Sequence, residues 1–136
     1  MPSANHPLRI ILADDQTKVR SALRLMIGQH STFCVVGEAG SASELLRETP
    51  ITHAQVVLLD WELPGLSETH ILHPLRSLVP SLCIIALSGK PEARTQALAE
   101  GADMFISKSD PPESVLDALY SIKVNAADRS ETHSAI

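Results

Sequence analysis

An α/β fold is predicted: a doubly wound, five-stranded parallel sheet in the order 2-1-3-4-5, with helices on both faces. Three observations carry this. Strand-like and helix-like segments alternate five times along the 136 residues, the strand-like runs are almost continuously apolar, and glycine and proline cluster in the connections. Strands that read as unbroken apolar runs are buried on both faces, and right-handed crossovers then lay helices above and below them.

The strands are read at residues 9–13, 34–38, 55–60, 82–87 and 104–107, each short enough to be a buried strand. After the first, Val19, Leu23, Met26 and Ile27 recur at helical spacing, as do Val115, Leu119 and Ile122 after the fifth. Gly37 and Gly40, Pro64-Gly65, Gly89 and Pro111-Pro112 mark the turns. Pro74 falls inside the helix expected after the third strand and should kink it or delay its start. The domain is bounded at residues 8–124. Residues 1–7 and 125–136 lack a periodic apolar face and are expected to be flexible termini, the latter a frayed tail or the start of a linker.

Composition narrows the function. With 44% apolar and 20% charged residues, the chain can bury one core. Its longest apolar run, residues 82–87, is far short of the ~18 to 20 residues of a membrane helix, and no export signal is expected, because the run beginning at Ile10 meets the acidic pair Asp14-Asp15 almost at once. A soluble cytoplasmic protein is expected. The net charge of −5 argues against nucleic-acid binding by this chain. Cys34 and Cys83 are expected to be packed thiols rather than a disulfide, as suits a reducing compartment.

Ligands of an open parallel sheet bind beyond the carboxyl ends of its strands. There the first strand delivers Asp14-Asp15, the third Asp60, the fourth Ser88-Gly89 and the fifth Lys108; the second, ending Glu38-Ala39-Gly40, offers no comparable set. Neighbouring strands are ~4.8 Å apart, so carboxylates on the first and third can share one small cation, and Mg2+ favours such carboxylates with waters and a phosphate oxygen. A phosphoryl group on Asp60, the nucleophile, would have its charge answered by Mg2+, the Ser88 hydroxyl and the Lys108 ammonium. Each residue alone has a plainer role: Asp15 as a helix cap, Asp60 and Ser88 in turns, Lys108 in solvent. Their convergence on one edge favours the chemical reading.

The stretches ILADDQTKVRSALR, VVLLDWELPG, IIALSG and GADMFISKSDPPESVLDAL resemble the receiver domains of bacterial two-component response regulators, over roughly residues 8–124. The flavour is that of the NarL-type subfamily, whose members usually carry a DNA-binding output domain after a linker. The resemblance implies a flavodoxin-like fold and a phospho-acceptor Asp60. It implies Mg2+ held by Asp14, Asp15, Asp60 and the Glu62 backbone carbonyl, with Ser88 and Lys108 in the site. Phe105 becomes the aromatic partner of the Ser88 switch. The implied partners are a histidine kinase or phosphotransfer protein and a second copy in a homodimer, with the first and last helices as docking surfaces. No DNA-binding output domain is expected within these residues.

Three positions depart from the pattern. Ser109 follows Lys108 where proline is common, so no cis peptide is assumed. Glu68 replaces a glycine common eight residues past the phospho-acceptor, and Pro74 interrupts the following helix. His70 and His73 lack further ligands at metal spacing. Trp61 is read as a rim residue of the site, and Glu62 and Lys90 as opposite charges on two lips of one pocket that would pair over the acyl phosphate. Two alternatives stay open. A pseudo-receiver would bind partners without phosphorylation, and a haloacid-dehalogenase-type phosphatase would use Asp60 but wants an aspartate where this chain has Glu62.

Overall fold

The computed structural model describes the backbone of residues 6–134 and the side chains from His6 to Asn125, Glu68 apart. Strands β1 (Leu8–Ala13), β2 (Phe33–Ala39), β3 (Val56–Asp60), β4 (Cys83–Ser88) and β5 (Met104–Ser107) alternate with helices α1 (Thr17–Gly28), α2 (Ala42–Thr52), α3 (Leu66–Thr69), α4 (Leu72–Leu78), α5 (Ala93–Ala99) and α6 (Glu113–Ser134). The five strands form one sheet in the order β2-β1-β3-β4-β5, with every neighbouring pair parallel.

Successive strand residues point to opposite faces, and the chain fills both. Ile10, Leu12, Val56, Leu58, Ile85 and Leu87 point to the face covered by α1 and α6, where Ile27, Val115 and Leu119 close the layer. Ile11, Ala13, Val57, Leu59, Ile84 and Ala86 point to the other, beneath Leu45 of α2, Leu66 of α3, Leu72 and Leu75 of α4, and Ala97 of α5. Every residue of β3, the central strand, is buried, Asp60 included.

The helical connection after β3 is broken rather than kinked. A continuous helix would set the Pro74 ring against the carbonyl of residue i−4, which is His70. The chain instead takes a left-handed turn at His70, with φ 48°, ending α3. Helix α4 then starts at Leu72, so Pro74 lies in its first turn, where its missing N–H costs nothing. His70 thus sits in the left-handed turn that ends α3 while His73 lies on α4, and among the described residues neither joins a cluster of potential metal ligands.

Two further expectations are corrected. The backbone from Asn125 to Ser134 continues α6 rather than leaving it as an irregular tail. Extending an existing helix avoids the cost of nucleation, so a packed amphipathic stretch can carry polar turns beyond it. Residues 1–5 and 135–136 of the expected loose termini lie outside the described residues. Cys34 is exposed, because β2 is an edge strand, whereas Cys83 on β4 is half-buried. No helix among the described residues is long and apolar enough to cross a membrane.

Candidate functional site

The carboxyl ends of β1, β3, β4 and β5 meet at one edge. Asp14 follows β1 and Asp60 closes β3; each is only 3% exposed, while Asp15 faces solvent. One carboxylate oxygen from each of Asp14, Asp15 and Asp60 lies within 4.8 Å of the others. Such an all-oxygen cluster, with two of its carboxylates buried, fits a hard divalent cation that keeps part of its water shell.

Asp15 does not cap the helix that follows. The residue before α1 is Gln16, which makes no side-chain cap, and Asp14 Oδ1 accepts the Gln16 N–H at 2.9 Å. Asp14 is therefore fixed by its own turn, leaving Asp15 projecting beside it.

Lys108 reaches over from the end of β5. Its main-chain N–H donates to the Ser88 carbonyl at 2.8 Å, and its ammonium donates to Asp60 Oδ1 at 3.1 Å and Asp14 Oδ2 at 3.4 Å. Burial lowers the Lys108 pKa, but the hydrogen bond and charge of Asp60, followed by those of Asp14, outweigh it and hold the group above the usual lysine value. The Lys108–Ser109 peptide is trans.

Ser88 closes β4 with no exposed surface. Its hydroxyl donates to Glu62 Oε2 at 2.8 Å and accepts from the Lys90 main-chain N–H at 3.0 Å. The ion pair expected between Glu62 and Lys90 is therefore not made. Both residues do border one cavity of about 420 Å³, but the Glu62 carboxylate turns to the nearer hydroxyl. The Glu62 N–H donates to Asp60 Oδ1 at 3.1 Å. Trp61 borders the same cavity and also packs on the core. Phe105, half-buried on β5, packs against the core on the α5 face.

Two contributors lie outside the expected set. Arg20, on α1, donates to the Asp14 carbonyl at 2.5 Å and to Glu38 Oε1 at 2.7 Å. Glu38 also takes Arg24 at 2.7 Å, so β2, from which nothing was expected, braces the acidic corner from behind. Burial raises the Glu38 pKa; hydrogen bonds from Arg20 and Arg24, with their charges, bring it below the usual carboxylate range. The cue in sequence is the acid at a strand end opposite two arginines one helical turn apart. Beside Lys108, an apolar groove of about 620 Å³ opens between α1 and the start of α6, lined by Val19, Leu23, Met26, Ile106 and Pro112.

A buried acid flanked by a second acid, an ammonium and a hydroxyl at the end of a parallel sheet is suited to phosphoryl chemistry on a carboxylate. The model of the response regulator receiver domain matches residues 10–120. The chain belongs to that family. It is 30% identical over 120 residues to the nitrate/nitrite response regulator protein NarL of Escherichia coli K12, covering 87% of this chain and 56% of that one. To the transcriptional activator protein ExaE of Pseudomonas putida it is 34% identical over 112 residues, covering 81% and 52%. The chain thus spans about half the length of these relatives. The crystal structure of a LuxR-family two-component response regulator from Aurantimonas sp. SI85-9A1 superposes with a TM-score of 0.77 at 26% identity, covering 88% of this chain and 87% of that one. Within that family its similarity is to NarL-type and LuxR-family response regulators.

Proposed function

We propose that Asp60 is the phospho-acceptor, taking its phosphoryl group from a histidine kinase or phosphotransfer protein. A carboxylate oxygen of Asp60 attacks phosphorus, the acyl-phosphate O–P bond forms, and the P–N bond to the donor imidazole breaks. The observation that carries this reading is the Lys108 ammonium bridging Asp60 and Asp14. It is placed to answer negative charge gathering on Asp60, without itself being a nucleophile at neutral pH. Asp14, Asp15, Asp60 and the Glu62 carbonyl would hold Mg2+, which when bound neutralises charge on the transferring group. Lys108 and the Ser88 hydroxyl then hold the phosphoryl oxygens, and water slowly removes the group. The chemistry is directed at the domain itself.

The apolar groove between α1 and α6 supports docking of the donor beside Lys108. The switch runs from Ser88 to Phe105 and alters the surface formed by α5, β5 and α6, which serves partner binding, homodimer formation included. A reducing cytoplasm suits this role and the exposed Cys34 thiol.

Incubation with a small acyl phosphate and Mg2+, followed by intact mass, tests the reading. A single phosphoryl adduct is expected in the parent and none in Asp60→Asn or after chelation. An adduct that survives in Asp60→Asn overturns the assignment; absence from the parent would indicate a pseudo-receiver, and steady turnover a phosphatase.

A further inference from the structure

Ser88 has one hydroxyl proton, and Glu62 holds it. The hydroxyl donates to Glu62 Oε2 at 2.8 Å while accepting from the Lys90 N–H at 3.0 Å. A serine hydroxyl is one donor and two acceptor sites. Accepting from Lys90 is compatible with either state of the domain, but donating to Glu62 and donating to a phosphoryl oxygen on Asp60 exclude one another.

We propose that Glu62 is a positioning residue that parks the Ser88 hydroxyl in the resting state, so that a phosphoryl group must win its proton from a carboxylate already present. The inference rests on the reading of Asp60 and Ser88 given above. Three features support it. Ser88 is fully buried, so water cannot readily stand in for a lost acceptor, and the hydroxyl must exchange one anion for the other. Glu62 is exposed, so the carboxylate released is hydrated at little cost and the exchange stays reversible. The loop that presents Glu62 is tied to the acceptor itself through the Glu62 N–H to Asp60 Oδ1, which holds the competitor beside the group it competes with.

Two roles of a carboxylate beside an anion site must be separated: occupying Ser88 and repelling negative charge. Beryllium fluoride, which stands in for the phosphoryl group on an aspartate, is titrated at saturating Mg2+ into the 136-residue chain and read by Trp61 fluorescence. Glu62→Ala is expected to lower the half-saturating concentration by about three- to tenfold, where tenfold corresponds to ~1.4 kcal/mol. Glu62→Gln should lower it less, because its neutral amide oxygen still accepts from Ser88, only more weakly. Ser88→Ala should raise it, and Glu62→Ala should then have no effect in the Ser88→Ala background, the coupling expected of two residues acting through one bond. Equal gains in Glu62→Gln and Glu62→Ala that persist without the Ser88 hydroxyl would show charge repulsion alone and overturn the inference. So would an unchanged half-saturation in Glu62→Ala. No response in the parent would overturn the reading of Asp60 as well, whereas a response with additive variants overturns only the parking role.

Discussion

The Lys108 ammonium lies 3.1 Å from Asp60 Oδ1, reaching across β4 from the end of β5. A second bond to Asp14 makes one cation answer two buried acids. Because the folded-state pKa of Lys108 is raised, its contribution to stability is fully present below the unfolded lysine value of ~10.4 and is lost as pH rises through the folded value. Lys108→Met should therefore cost about 1 to 2 kcal/mol at pH 7 without Mg2+, a figure discounted because the side chain is 34% exposed. Parent and variant should converge at strongly alkaline pH. The variant should bind Mg2+ several-fold more tightly, since a like charge has left the site. Urea midpoints across pH and calorimetric Mg2+ titration check this, and a variant gap that widens above pH 10 would contradict it.

Glu38 carries the opposite sign. Its pKa is lowered, so its stabilising contribution is present above the unfolded glutamate value of ~4.3 and is lost as pH falls through the folded value. Glu38→Gln should cost about 1 kcal/mol at pH 7, the carboxylate being partly exposed, and little in acid. Arg20 also holds the Asp14 carbonyl, so releasing it from Glu38 should weaken Mg2+ binding as well. Equal Mg2+ affinity in the two proteins would confine Glu38 to a structural role.

The strands were legible because buried parallel strands must be apolar along their whole length, and the observed bounds differ from those expected by one residue at most. The acids and the lysine were legible because strand ends fix where a side chain starts. Where a long side chain finishes is not set by its position in the chain. Glu62 and Lys90 were expected to pair on charge alone, yet a buried hydroxyl with one proton is the nearer partner. Arg20 spans from α1 to β2; its spacing from Arg24 marks two cations on one helix face but does not say which acid they meet. Pro74 signalled a disturbed helix, but the break had to fall four residues earlier, where its ring would have struck a carbonyl.

Gly65 adopts φ +88°, and a Cβ built there would sit 3.2 Å from the Ala42 Cβ. The Ala42 N–H also donates to the Pro64 carbonyl at 2.9 Å, which ties the start of α2 to the same turn. Gly65→Ala should cost about 1 to 2 kcal/mol through the left-handed backbone alone. Gly28→Ala, at the end of α1 with no heavy atom within 4 Å of the added Cβ, should be neutral or stabilising by up to about 1 kcal/mol. Urea denaturation of both, at constant slope, provides the comparison. Equal midpoints for the two variants would remove the special role of Gly65.

The route from Ser88 to Phe105 can be read with an internal control. Phe105 pairs in register with Ala86, two residues before Ser88 on the adjacent strand, and packs on the face covered by α2 to α5. The chain's other phenylalanine, Phe33, is buried on the opposite face, its ring 4.6 Å from that of Tyr120. On the proposed reading, a phosphoryl group on Asp60 that draws the Ser88 hydroxyl toward it would open space beside β4. The half-buried Phe105 ring would then gain by turning inward, since burying apolar surface is favourable and phenylalanine has no polar tip to keep wet. With both rings fluorinated, beryllium fluoride and Mg2+ should shift the Phe105 resonance in the parent and leave Phe33 in place. In Ser88→Ala, at concentrations that restore binding, the site should fill while Phe105 keeps its resting resonance. A Phe105 shift of equal size in Ser88→Ala would mean that the ring responds to the site by another route, and movement of Phe33 alongside it would mean that the whole sheet repacks rather than one edge.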